Sequence, residues 1–154
     1  MRRWTGIGVM LVVVALLLSG CLAKNQPAPV PATPTLFADF QRTGGFAGVN
    51  DRLVIFDNGA ALVSARSASR EFTLNRSEMD RIAAIFEASQ FATLEGNYTS
   101  SRSGADLLHY SITYKGKTVN TEDTAIPPSL EPVIREMDRI HAASRTRLSG
   151  LVMD

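Results

Sequence analysis

Leu107-Leu108-His109-Tyr110-Ser111-Ile112-Thr113-Tyr114-Lys115-Gly116-Lys117-Thr118-Val119-Asn120-Thr121-Glu122-Asp123 reads as two strands folded about a turn. Leu108, Tyr110, Ile112 and Tyr114 alternate with Leu107, His109, Ser111 and Thr113, the period of two that turns one set toward a core and the other away from it. Lys115-Gly116-Lys117 makes the turn, and residues 118–123 form the partner strand. A strand this clearly two-sided belongs to an antiparallel sheet with one face covered and one open, and His109, Ser111 and Thr113 fall on the open face.

On the C-terminal side, Ser129 is placed to cap a helix whose stripe Leu130, Val133, Ile134, Met137 and Ile140 follows the 3.6-residue period. Pro132 is tolerated in its first turn, where a missing N–H has no intrahelical partner. On the N-terminal side, Asn75 with Glu78 three residues on makes a capping box for a helix over about 76–89, its apolar face being Met79, Ile82, Ala83 and Phe86. Phe91 and Leu94 pack just past its end, before a polar loop over 95–104. Further upstream, residues 37–43, 52–56 and 60–65 read as strands. The glycine cluster Gly44-Gly45-Phe46-Ala47-Gly48 stops or bends the first, and Asn58-Gly59 turns between the second and third. Residues 66–71 are a polar excursion, and Phe72-Thr73-Leu74 either prolongs the sheet or leads into the helix. The expectation is an α+β domain over 36–154, an antiparallel sheet of about five strands with two helices in the order β-β-β-α-β-β-α.

Ahead of that domain, Arg2 and Arg3 precede the apolar run 7–18 and then Leu18-Ser19-Gly20-Cys21. Twelve apolar residues reach roughly 18 Å at helical rise, short of a hydrocarbon core of roughly 30 Å, so residues 1–20 read as a removable signal peptide rather than a span. The Leu-Ser-Gly-Cys order is that of a bacterial lipobox, which makes Cys21 the expected lipidation site, with acyl chains enough for stable anchoring. Residues 21–35, with four prolines in 27–34, form an extended tether. The protein is therefore expected on the extracytoplasmic face of a bacterial membrane, the outer membrane if the cell has two, since Leu22 rather than an acidic residue follows the cysteine.

With its only cysteine lipidated, the chain has no thiol left for a disulfide, a metal site or a nucleophile. Removing residues 1–20 takes away Arg2 and Arg3 and turns a formal charge of +1 into −1, which offers no electrostatic footprint for nucleic acid. His109 and His141 lie on separate elements without metal-ligand spacing. Ser100, Ser101 and Ser103 with His109 and Asp106 lack the Gly-x-Ser-x-Gly elbow of a hydrolase. Adjacent Glu122 and Asp123 point to opposite faces of a strand and cannot pair as acid and base, and Gly44-Gly45-x-x-Gly48 has neither the spacing nor the lysine of a phosphate loop. These patterns point to no enzyme, no cofactor and no metal, and leave binding as the function class.

The stretch Phe40-Gln41-Arg42-Thr43-Gly44-Gly45-Phe46-Ala47-Gly48, with Asp51-x-Leu53 behind it, resembles the opening of the emfourin family. Phe91-Ala92-x-Leu94, Asp106-x-x-x-Tyr110-x-Ile112-x-Tyr114 and Val119-x-Thr121-x-Asp123-x-Ala125-Ile126-Pro127-x-x-Leu130 resemble its later landmarks in the same order, across about 37–141. The resemblance implies a small bacterial protein inhibitor of thermolysin-like zinc metalloproteases such as protealysin, here with a secreted or surface metalloprotease as partner. It marks Arg42, Gly44, Gly45, Phe46 and Gly48 as candidate contact residues. A lipid anchor and a tether ahead of the glycine motif depart from the family's best-known members. Phe46 has two readings: a core side chain capping one end of the sheet, with the glycines as a β-bulge, has slightly the better claim, because a shared motif can be what folds a family. The other is an apolar side chain presented on a glycine-flanked turn, of the size thermolysin-like enzymes favour just after the scissile bond. The alternative function is an envelope module that holds a protein or a polysaccharide on its open sheet face.

Overall fold

The structure, a computed structural model, describes residues 33–65, 68–100 and 106–146. The signal peptide, Cys21 and the tether up to residue 32 lie outside the described residues, as do Ser101 and Ser103. The described chain forms β1 (Leu36–Gly44), β2 (Val49–Phe56), β3 (Ala60–Ala65), β4 (Ala68–Thr73), helix α1 (Arg76–Ala88), a 3₁₀ turn (Phe91–Thr93), β5 (Asn97–Tyr98), β6 (Leu108–Tyr114), β7 (Lys117–Glu122) and helix α2 (Glu131–Thr146). The strands make one sheet in the order β4-β3-β2-β1-β6-β7-β5, antiparallel throughout except for β5, which runs parallel to β7.

The architecture is α+β with two helices, as the sequence pattern implies, but the sheet is mixed and has seven strands rather than about five antiparallel ones. Both extra strands are edges. β4 includes Ser69, Arg70 and Glu71, is exposed along most of its length and has no apolar alternation, so only its pairing with β3 defines it. β5 is two residues held by the registers Asn97↔Asn120 and Tyr98↔Thr121, too short to leave a period.

The helices cover one face of the sheet. Ala38, Phe40, Leu53, Ile55, Ala61, Val63, Tyr110, Ile112, Tyr114 and Val119 of the strands pack against Ile82 and Phe86 of α1 and Val133, Met137 and Ile140 of α2. Phe86 stacks on Tyr114 with centroids 4.1 Å apart, and Phe91 meets Phe86 edge-on at 5.1 Å, an offset geometry that favours aromatic pairs. A register shift between Leu36 and Ala38 bends β1 so that Phe37 also reaches Tyr114, at 5.3 Å. Between the helices, Glu136, only 4% exposed, accepts bonds from Arg81 of α1 at 3.0 Å and from Arg139 at 2.6 and 3.0 Å. That three-way ion pair satisfies a buried carboxylate that would otherwise oppose folding.

The local signals hold with small shifts. Asn75 and Glu78 form the expected reciprocal capping box at 2.9 and 3.0 Å. Helix α2 begins at Glu131, with the Leu130 carbonyl accepting the Ile134 N–H at 3.1 Å, so Leu130 rather than Ser129 stands at the cap position. Burial decides this, because Leu130 is fully enclosed in the core. Lys115 and Gly116 both have positive φ, the two-residue primed turn that suits the twist of β6 and β7. Thr35, at the end of the predicted tether, is fastened to the domain: its hydroxyl and N–H donate to Asp57 at 2.6 and 3.1 Å, and its carbonyl accepts the Asp57 N–H at 3.0 Å.

Candidate functional site

β1 and β2 form a hairpin whose tip holds the glycine motif. Gly44 pairs with Val49, and the four residues between them close with a Gly48 N–H to Gly45 carbonyl bond of 2.9 Å. Gly44, Gly45 and Gly48 all have positive φ, at 96°, 68° and 58°, where a side chain is strained. Gly44 is also sterically required, and Gly45 is tightly packed. A Cβ on Gly44 would lie 2.5 Å from the Leu107 carbonyl oxygen, and one on Gly45 3.1 Å from a Leu108 methyl. The Gly45 N–H donates to that same Leu107 carbonyl at 3.0 Å, so the base of the tip is clamped to the entry of β6. Gly48 has open space around it and serves the backbone conformation alone.

Phe46 stands at the apex and is 95% exposed. This overturns its reading as a core residue capping the sheet, and the glycines form a hairpin loop rather than a bulge. The physical reason is the clamp: fixing Gly44 and Gly45 against Leu107 sends the next two residues past the end of the sheet, beyond the reach of either helix. Leu36 and Gly44 are the two ends of β1, roughly 27 Å apart at strand rise, so Phe46 lies at the pole opposite the chain's entry into the domain.

Arg42 lies on the helix side of the same hairpin and points into the protein. It donates to Asp51 of β2 at 2.7 Å and to Asp138 of α2 at 2.9 Å. Burial works against its charge, but the bond to Asp51 and the charges of Asp138 and Asp51 prevail and raise it above the ordinary arginine value. Burial also pushes the Asp138 carboxyl above the usual aspartate value, against the opposing charges of Arg42 and His141. Arg42 is therefore the brace that ties the hairpin to α2. Asp51 carries a signal in the motif, whereas nothing near Asp138 marks it as a partner for a residue 96 positions away.

The open face is polar. Asp39 and Arg52 form a two-pronged pair at 2.5 and 3.0 Å, and Thr113 and Thr118 share a hydroxyl bond of 2.8 Å. A hollow of about 190 Å³ lies between Gln41, Thr43, His109, Ser111, Asn120 and Glu122. Glu122 is buried there and accepts from the Ser100 N–H and the Thr124 hydroxyl. His109 is exposed on this face, as expected from the alternation, whereas His141 is buried within α2. Among the described residues, no three His, Cys, Asp or Glu side chains come together as a metal would need. No protein-family model matches the chain, and no curated protein matches it either.

Proposed function

We propose that this domain is a non-catalytic protein inhibitor of a thermolysin-like zinc metalloprotease, carried on an envelope lipoprotein anchored through Cys21. The observation that carries the reading is Phe46, a large apolar side chain held almost wholly in solvent on a turn clamped at its base. An exposed phenylalanine contributes nothing to folding, and burying it in a partner's pocket yields about 1.5–3 kcal/mol. Phe46 enters the pocket that takes the residue after the scissile bond, and Gly48, with open space around it, lets the backbone approach the cleft walls. A closed turn, unlike an extended peptide, does not lie across a protease cleft in a cleavable pose, so the loop blocks the site without being consumed. Arg42 holds the hairpin on α2, and this lowers the ordering cost of binding. An inhibitor interface covers about 800 Å² per partner, so loops at the same pole add contacts.

Titrating the full-length protein in detergent against a thermolysin-like protease, with a serine protease as control, tests this. Stoichiometric loss of metalloprotease activity alone, with the inhibitor intact, is expected. No inhibition across several such enzymes, or rapid cleavage of the hairpin, sinks the proposal. The polar hollow beside His109 and Ser111 favours the second reading, an envelope module that binds a protein or glycan on the open face. Retained binding of cell-wall glycan with no inhibition would select it.

A further inference from the structure

Strand register lays out a grid of polar side chains on the open face. Thr43 of β1, His109 of β6 and Glu122 of β7 stand opposite one another in one rung, and Gln41, Ser111 and Asn120 in the next. Two strand spacings by one two-residue step give this patch a footprint of about 10 Å by about 7 Å. The hollow of about 190 Å³ lies within it, and no aliphatic residue is among the described residues that line it. The following rung, Asp39, Thr113 and Thr118, is closed by its own bonds, Asp39 to Arg52 and Thr113 to Thr118. At the hollow, by contrast, the side chains of Gln41, Thr43, His109 and Ser111 make no hydrogen bond with a described residue. Asn120 donates its amide N–H groups to Gly96 and Asn97, which leaves its carbonyl oxygen as an acceptor.

Polar groups in water need no protein partner, but Glu122 is only 7% exposed. Its Oε1 accepts from the Ser100 N–H and the Thr124 hydroxyl, both neutral donors. Its Oε2 accepts no bond from a described residue, and the carboxylate makes no ion pair with one. An ionised carboxylate offers about four acceptor positions, and withdrawing one from water without a cation opposes folding. A ligand that brings the missing charge removes that opposition. An ammonium group does so with three donors, one for Glu122 Oε2 and the others for the hydroxyl oxygens of the rungs. What surrounds the ammonium is hydroxylated rather than aliphatic, because the hollow offers hydrogen-bonding groups and no apolar wall for an alkyl stem such as that of lysine.

We propose that this hollow binds a protonated amino sugar, with the ammonium on Glu122 and ring hydroxyls on Gln41, Ser111 and Asn120. The assignment rests on the open-face reading and is independent of Phe46. The test titrates isotope-labelled full-length protein, in a zwitterionic detergent without sugar headgroups, with glucosamine and with glucose at about pH 7, where the amine is mostly protonated. The expected result is amide shifts concentrated at Thr43, His109, Ser111 and Glu122, with glucosamine binding roughly tenfold more tightly than glucose. Added salt should narrow that gap in the native protein. Glu122→Gln keeps the side-chain shape, removes the charge and is expected to abolish the preference, whereas Ser111→Ala should weaken both sugars alike. Equal affinity for the two sugars, or a preference that survives both salt and Glu122→Gln, overturns the amino-sugar assignment and leaves a glycan on the open face standing. No shifts at these residues with either sugar at tens of millimolar overturns both.

Discussion

β2 begins and ends in a glycine-bearing turn, and the two turns have opposite fates. At its C-terminal end, Asp57-Asn58-Gly59 is consumed by its own protein. Gly59 has φ 84° and its N–H donates to Phe56 at 3.0 Å; Asn58 accepts the Ala60 N–H at 3.0 Å, and Asp57 holds Thr35. At the N-terminal end, Gly44 to Gly48 is clamped just as closely at its base, yet its apex offers a phenylalanine to solvent. A Cβ on Gly44 or on Gly59 would come within 2.5 Å of a carbonyl oxygen, from Leu107 and Leu74 respectively. The backbones are built to one standard, and the side chains are not. A turn that needs only to turn uses polar residues to bond its own backbone; the Phe46 side chain gives no such bond, and under the proposed function its exposed apolar surface is what a partner would bury.

The comparison breaks first at the shared clamp. Gly44→Ala and Gly59→Ala should each destabilise by about 3 kcal/mol, since each adds a carbonyl clash to a positive-φ penalty. Denaturant unfolding measures both, and a loss under 1 kcal/mol at either would mean the clamp yields. The difference between the turns is tested by Phe46→Ala, expected to weaken inhibition about 30-fold, near 2 kcal/mol, while the unfolding midpoint stays unchanged. A drop in stability of the same size would make Phe46 a structural residue. Gly48→Ala sharpens the contrast with Gly44, because open space surrounds Gly48 and only the backbone term of about 1 kcal/mol remains.

The smallest effect is set by pH at the brace. The Asp138 pKa is raised in the folded protein, so its contribution to stability is present below the ordinary aspartate value and is lost as pH rises through the raised one. Asp138→Asn lacks that titration. Relative to the variant, the native protein should therefore lose stability across that window on going from acid to neutral pH. Unfolding curves for both proteins at a series of pH values would show it, and parallel curves would refute the assignment. Asp57 provides the opposite sign at the other turn. The Thr35 hydroxyl and N–H bonds hold its pKa below the usual range, so that stabilisation is lost on acidification.

Much of the fold is legible along the chain because its signals are local. The alternation of Tyr110, Ile112 and Tyr114, the Asn75–Glu78 capping box and the stripe of α2 each depend on residues a few positions apart. β4 escapes that reading since an edge strand needs no apolar face, and β5 since two residues carry no period. The tip is half legible: the glycines announce a bend at Gly44, but whether Phe46 folds inward or stands out does not follow from its neighbours.

By itself, then, the sequence determined the α+β class, the two helices, five of the strands and the turns that join them, all consequences of backbone preference and side-chain periodicity within short windows. Tertiary structure decided that β1 lies at the centre of the sheet, that Arg42 reaches Asp138, and that Leu107 clamps Gly44 and Gly45 so that Phe46 faces solvent. Those outcomes belong to contacts between residues tens of positions apart, and such contacts exist only once burial of the apolar faces has brought the strands and helices together.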